Sequence, residues 1–249
     1  MPEAADSRPV ALITGASKRV GATIARALHA AGYDLALHYR HSQSEMTALC
    51  AELERSRAGS TLSVQANLAD LAQLPHIVET CTSRFGRLDA LVNNASSFFP
   101  TPIGSVTAAQ WDDLFNSNAR APLFLAQAAA PALRGAHGAI VNLIDIYAQR
   151  PLPGYPVYCM AKAALAMMTL ALAKELAPGI RVNGVAPGAV LWPESGKAYT
   201  DQAELIARTP LQRAGSPEDV ATAVLFLLRD AKFTTGQIIN VDGGRSLAI

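Results

Sequence analysis

Seven short apolar runs recur along this chain, and each of the first six is followed by a longer stretch with helical or mixed pattern. The runs are VALIT (10–14), DLALHY (34–39), TLSVQA (61–66), ALVN (90–93), AIVNLI (139–144), RVNGV (181–185) and QIINV (237–241). They are nearly continuous in apolar character, as strands covered on both faces are. Segments of helical period lie at 20–31, 44–57, 71–85, 108–133, 156–176 and 216–229. This alternation predicts an α/β fold: a doubly wound parallel sheet of about seven strands, with helices on both faces. Gly32 is placed to end the first helix. Ser216, Pro217 and Asp219 form the start signal of the last one. With 249 residues and no repeat or linker, the chain is expected to form one domain over 1–249. Residues 189–213 break the pattern with two prolines and a mixed polar pattern and are expected to form a substrate-binding lid, in which Trp192 has no assignable role.

The first strand runs into TGASKRVG (14–21) and then a helix. A strand, a glycine turn and a helix set a pyrophosphate at a helix N-terminus, as in a Rossmann-type fold. Gly15 permits the turn and Gly21 permits close helix packing. Lys18 and Arg19 stand where a third glycine is often found. An acid usually ends the second strand of an NAD site, to bind the ribose hydroxyls. Here the chain reads His38, Tyr39, Arg40, His41, Ser42, with no acid. A guanidinium would pair with a 2′-phosphate where a carboxylate would repel it. Arg40 with Lys18, Arg19 and Ser42 therefore points to NADPH rather than NADH.

Tyr158 and Lys162 are four residues apart on an expected helix and share one face. An ammonium beside a phenol favours the phenolate, which suits Tyr158 to proton transfer. The formal net charge is +1, which gives no bulk attraction to nucleic acid or anionic lipid. The three cysteines show no metal-ligand spacing, so no metal site is expected. Reduced cysteines, no signal-peptide layout in the first residues and no run long enough to span a bilayer together predict a cytoplasmic protein.

The motifs taken in order resemble the short-chain dehydrogenase/reductases over nearly the whole length. They are Thr14-Gly15 with Gly21, NNAS at 93–96, Asn118, Tyr158 with Lys162, Pro187-Gly188, and NVDGG at 240–244. The resemblance implies that Tyr158 is the general acid and that Lys162 holds the nicotinamide ribose and tunes the tyrosine. It implies that Asn118 supports a proton-relay water. It places Gly15, Lys18, Arg19, Val20, His38, Tyr39, Arg40, His41, Ser42, Asn67, Leu68, Asn93, Ala95, Ser96, Lys162, Pro187 and Gly188 around the cofactor. Asn67 stands where many relatives carry aspartate.

One departure narrows the resemblance. Most of that family carries serine thirteen residues before the tyrosine; this chain carries Asp145. An ionised carboxylate cannot donate a hydrogen bond to a ketone. With TGASKRVG, HYRHS and NNASSFFPTP, it makes the chain similar to the pteridine reductase branch. That similarity implies a pterin or folate substrate held by Arg19, Ser96, Phe98, Asp145 and Tyr158, its ring stacked between Phe98 and the nicotinamide. Asp145 and Tyr158 would deliver protons after hydride transfer. A 3-oxoacyl thioester or other carbonyl reductase is the alternative enzyme, and a catalytically silent NADPH-binding sensor the alternative of another class. The family also implies a homotetramer through the long helices. Phe99, Trp111 and Cys159 are expected to pack, while Tyr155 either packs or faces the substrate.

Overall fold

A computed structural model describes residues 8–190 and 202–248. Its strands are β1 (Val10–Ile13), β2 (Asp34–Tyr39), β3 (Thr61–Gln65), β4 (Ala90–Asn93), β5 (Ala139–Leu143), β6 (Arg181–Pro187) and β7 (Ile238–Val241). They form one seven-stranded sheet in the order β3-β2-β1-β4-β5-β6-β7. All six pairings are parallel. The chain builds outward from β1 to β3, crosses back, and builds outward again from β4. The order therefore reverses between β1 and β4, and a crevice opens beyond the carboxyl ends of those two strands.

Helices α1 (Arg19–Ala30), α2 (Gln43–Ser56), α3 (Gln73–Phe85), α4 (Ala108–Phe115), α5 (Ala121–Gly135), α6 (Pro156–Glu175), α7 (Gln202–Ala207) and α8 (Pro217–Leu225) cover the sheet. The strand period of two splits the core cleanly. Ala11, Ile13, Leu35, Leu37, Val92 and Val141 meet α1, α2 and α8 on one face. Val10, Leu12, Ala36, Leu91, Ile140 and Val182 meet α3 and α5 on the other. The edge strands β3 and β7 are only partly buried, and the four residues of β1 and of β4 are fully so. The fold is the Rossmann-type α/β architecture the sequence pattern predicts.

The start of α8 follows its signal: Ser216 and Asp219 cap each other reciprocally. Gly32 takes φ +96° just past α1. The segment 108–133 differs from expectation, because it is not one helix. After α4 the backbone widens into a π turn over Asn116–Arg120, and α5 then begins. Pro122 has no N–H for the Asn118 carbonyl four residues back, so a regular α-turn cannot close there. The end of the 216–229 segment widens likewise, over Phe226–Asp230. Helix α6 is long and apolar enough to cross a bilayer; here it packs against β6 and the π turn. Trp192 and residues 191–201 of the expected lid lie outside the described residues.

Candidate active site

The loop after β1 is drawn tightly against the loop after β4. Thr14 Oγ1 accepts the backbone N–H groups of Asn94 and Ala95, both at 3.0 Å. Asn94 Nδ2 donates to the carbonyls of Thr14 and Gly15, both at 2.9 Å. Gly15 has φ +61°, and a Cβ there would lie 2.9 Å from Ala95 Cα. At Gly21 a Cβ would stand 2.2 Å from the Gly15 carbonyl oxygen. Both glycines are thus required by close approach.

A cleft of about 440 Å³ lies over this junction. Gly15, Lys18, Arg19, Val20, His38 and Arg40 line it, with Asn67 and Leu68 after β3 and Ala95 and Ser96 after β4. The N-terminus of α1 opens into it. Its N-cap is Lys18, which has no side-chain oxygen to accept the first-turn N–H groups. Helices α4 and α8, by contrast, cap themselves with Thr107 and Ser216. Arg19 takes φ +53°, the left-handed conformation that a glycine would adopt freely. Backbone N–H groups, two glycine contacts and a cationic rim fit a dinucleotide pyrophosphate.

The end of β2 answers the sequence reading unevenly. Arg40 is exposed and lines the cleft, beside exposed His41 and the α2 N-cap Ser42. Lys18 lines the cleft too, but its Nζ pairs with Glu45 at 2.7 Å. His38 lines the cleft, with its ring hydrogen-bonded to backbone. It is buried, its Nδ1 accepts the Gly15 N–H at 3.2 Å, and its Nε2 lies 3.1 Å from the Ala66 carbonyl. A ring whose Nδ1 accepts must carry its proton on Nε2, so the ring is the neutral tautomer that donates to Ala66. Burial pushes its pKa down to about 4. Tyr39 is also buried, in the core beneath α1 and α2, and does not line the cleft. Asn93 turns its side chain inward to Asn142 at 2.8 Å, which in turn holds Thr169. Asn67 fixes its own turn, accepting the Ala69 N–H.

Asp145 and Tyr158 meet where β5 ends and α6 begins. Asp145 caps a short 3₁₀ turn, Ile146–Ala148, with Oδ1 accepting the Tyr147 N–H at 2.9 Å. Its Oδ2 accepts from the Tyr158 hydroxyl at 2.8 Å. Removal from water pushes the Asp145 carboxyl up to about 6, against the opposing pull of its hydrogen bonds and of Lys162. Lys162 is buried and donates to the Leu143 carbonyl at 2.8 Å. Its Nζ stands 5.8 Å from the centre of the Tyr158 ring. Burial brings its pKa down to about 8, with the Asp145 charge resisting.

Around this pair the aromatic side chains converge. Phe98 is partly exposed; it stacks on Tyr155 at 4.7 Å and meets the Tyr158 ring edge-on at 4.7 Å. Tyr155 is therefore both packed and part of the aromatic wall. Ser96 donates to Asn118 Oδ1 at 2.7 Å, and Asn118 Nδ2 donates to the Ser97 and Leu114 carbonyls. The π turn thus sets buried Asn118 against Ser96, which lines the cleft. Pro187 and Gly188 close β6 against Val241, with Gly188 pressed on Asp242. Phe99 packs in the cluster beneath this site. Trp111 stacks on Phe115. Cys159 is buried and accepts the Leu152 N–H. Asn94 is the residue that sequence reasoning undervalued: it lines the cleft and ties the phosphate loop to β4. The doubled amide in NNAS was the available signal.

A family model described as Enoyl-(Acyl carrier protein) reductase matches residues 15–246. The chain is a short-chain dehydrogenase/reductase. As such it is an oxidoreductase, of a family whose members work with nicotinamide cofactors. This short-chain dehydrogenase/reductase is 40% identical to Pteridine reductase 1 of Leishmania tarentolae, with 96% of each chain covered. It is 36% identical to a 3-oxoacyl-(acyl-carrier-protein) reductase of Staphylococcus aureus, covering 94% of this chain and 96% of that one. An uncharacterized oxidoreductase of Methylorubrum extorquens is 38% identical over 94% of this chain and 96% of its own length.

Proposed function

We propose that the protein is an NADPH-dependent reductase of pterins, acting on a dihydropteridine such as dihydrobiopterin, dihydromonapterin or dihydrofolate. The observation that carries this reading is the Tyr158 hydroxyl on Asp145 Oδ2 at 2.8 Å, beside Phe98. A carbonyl substrate needs a hydrogen-bond donor at position 145. A pterin presents ring and exocyclic N–H groups, which a carboxylate accepts. Its flat ring would lie on the face of Phe98 turned away from Tyr155. The similarity to a pteridine reductase supports the same reading.

Gly15, Val20 and the first turn of α1 would hold the cofactor pyrophosphate. Arg40, with Lys18, His41 and Ser42, would hold the 2′-phosphate. Asn67 and Leu68 would border the adenine; Ala95, Ser96, Pro187, Gly188 and Lys162 would border the nicotinamide riboside. When bound, the cofactor supplies the hydride. Arg19 and Ser96 orient the ring, and Phe98 fixes its plane, so that the reacting atoms are aligned. A dihydropteridine takes up one proton for the one hydride, and Asp145 and Tyr158, hydrogen-bonded to each other, would hold and relay that proton. Burial lifts the Asp145 carboxyl to about 6, near enough to neutral pH for it to take up and release a proton. Lys162 keeps a positive charge behind Tyr158, and Asn118 positions Ser96. The exposed apolar side chains Leu123 and Phe124 of α5 and Met160, Met167 and Leu170 of α6 would be covered in a homotetramer. The reading is of an enzyme in the cytoplasm.

The likeness to 3-oxoacyl reductases favours a second reading, thioester reduction, which Asp145 opposes. NADPH oxidation measured with dihydrobiopterin and with an acetoacetyl thioester separates the two. Turnover of the pterin alone is expected. Turnover of the thioester alone would overturn the proposal, and tight NADPH binding without turnover of either would make the protein a sensor. Asp145→Ser is expected to lose pterin reduction by about a hundredfold or more. Near-normal turnover would remove Asp145 from the mechanism.

A further inference from the structure

A second cavity, of about 390 Å³, opens beside the acid–base group and is not part of the dinucleotide cleft. Tyr147, Gln149, Arg150, Leu152, Arg208 and Arg245 line it, with Pro151 and Pro153. Three arginines face one space, and among the described residues no carboxylate lines it. In a chain of formal net charge +1, this is a local concentration of cations. Arg208 shares an exposed pair with Glu204 at 3.4 Å. Arg150 has no ion-pair partner among the described residues. Arg245 donates from Nη1 to the Leu205 carbonyl, while its Nε is buried with no hydrogen-bond partner among the described residues. A buried guanidinium N–H left unpaired is costly unless a ligand atom completes it.

The cavity adjoins the chemistry through two short connections. Tyr147 lines it and donates its backbone N–H to Asp145, two residues away, a span of at most about 7 Å. Leu152 lines it and donates to Cys159, the neighbour of Tyr158. A molecule whose ring lay on Phe98 beside Asp145 could extend a side arm into this space.

We infer that the cavity between the loop after β5, the end of α7 and the C-terminal turn is an anion subsite. It would receive a dicarboxylate tail carried by the reduced ring. This rests on the pterin reading and deepens it: the preferred substrates would be folate-type pterins bearing a glutamyl tail. Guanidinium groups suit the purpose, because each binds a carboxylate in a planar, two-bonded geometry. Arg150 would take one carboxylate from the solvent side, and Arg245 the other from within.

The test compares kcat/KM for dihydrofolate with that for dihydrobiopterin in the wild type, Arg150→Gln and Arg245→Met. The ratio is expected to fall about tenfold in each variant, through the KM for dihydrofolate. Arg150 is exposed, so its variant answers the question even if Arg245→Met fails to fold. Calorimetry with p-aminobenzoylglutamate, which has no pterin ring, is expected to show binding to the wild type and its loss in Arg150→Gln. An unchanged substrate ratio with active enzyme would overturn the subsite and leave the pterin reading standing. Binding of p-aminobenzoylglutamate that depends on Arg150, with neither pterin turned over, would do the reverse. If inorganic phosphate bound the wild type and p-aminobenzoylglutamate did not, the cavity would be a free-anion site and the tail assignment would fail.

Discussion

Arg19 shows how much one residue's chemistry can be read before its geometry is known. The sequence shows a cation in place of a glycine, and from that alone a ligand-facing charge is a fair expectation. It does not show that the backbone still takes the glycine conformation, at φ +53°. A left-handed non-glycine residue costs about 1 kcal/mol. Arg19→Gly is therefore expected to leave the melting temperature of the ligand-free protein unchanged or raised by a few degrees. NADPH affinity should fall about tenfold, the scale of one charge-assisted contact. Thermal unfolding and a fluorescence titration check the two halves separately, and a lowered melting temperature would show that the side chain holds the fold. His38 is the opposite case. Its place near the end of β2 suggested a contact with the cofactor, but burial decides its role, and burial at one position is not written in residue type. With both ring nitrogens committed to Gly15 and Ala66, it holds the loop instead.

At the scale of elements, the strands were the most legible, because a strand buried on both faces is a continuous apolar run. The strand ends shifted by a residue or two, as at β6, where pairing with β7 carries the strand on to Pro187. The break between α4 and α5 was hidden, since one extra residue in a turn barely disturbs a helical period. Its traces were the polar Asn116-Ser117-Asn118 in an alanine-rich segment, and Pro122 just after. The junction of α1 with the phosphate loop was better marked, through Gly21. Its absent side chain leaves the Gly15 carbonyl and Asn94 Nδ2 room to meet, at 2.9 Å. A Cβ at Gly21 would lie 2.2 Å from that oxygen and 2.7 Å from that nitrogen, and two of the atoms it would meet are backbone. Gly21→Ala should therefore move the loop: NADPH binding is expected to weaken at least about a hundredfold, and stability to fall by about 1–3 kcal/mol. Isothermal titration and chemical denaturation measure both. Retained affinity would mean that the loop is not the pyrophosphate cradle.

Across the whole molecule, the reversal of strand order between β1 and β4 gathers the loops after several strands into one region. The large cleft lies over β1 and β4, and the Asp145–Tyr158 pair follows β5. That convergence was legible as a fold class; the pairing of Tyr158 with Asp145 needed the three-dimensional turn at Ile146–Ala148. The pairing also leaves a thermodynamic signature. Asp145 has an ordinary pKa of 3.8 when exposed and about 6 in the fold. Between those values the folded protein binds more protons than the unfolded one, so this carboxyl's contribution to stability declines as pH rises from about 4 to about 6. Asp145→Asn removes that decline. Its hydrogen-bond changes add an offset independent of pH, so the readout is the stability difference between variant and wild type. That difference should grow in the variant's favour from pH 4 to pH 7, by about 3 kcal/mol at most. Urea denaturation across this range measures it, and a constant difference would mean that Asp145 is not shifted. In wild-type kinetics the same ionisation should appear as a decline in kcat/KM for the pterin above about pH 6. A second decline is expected above about pH 8, as Lys162 loses its charge. Asp145→Asn should abolish the first limb and move the second to lower pH, because the Asp145 charge helps to keep Lys162 protonated.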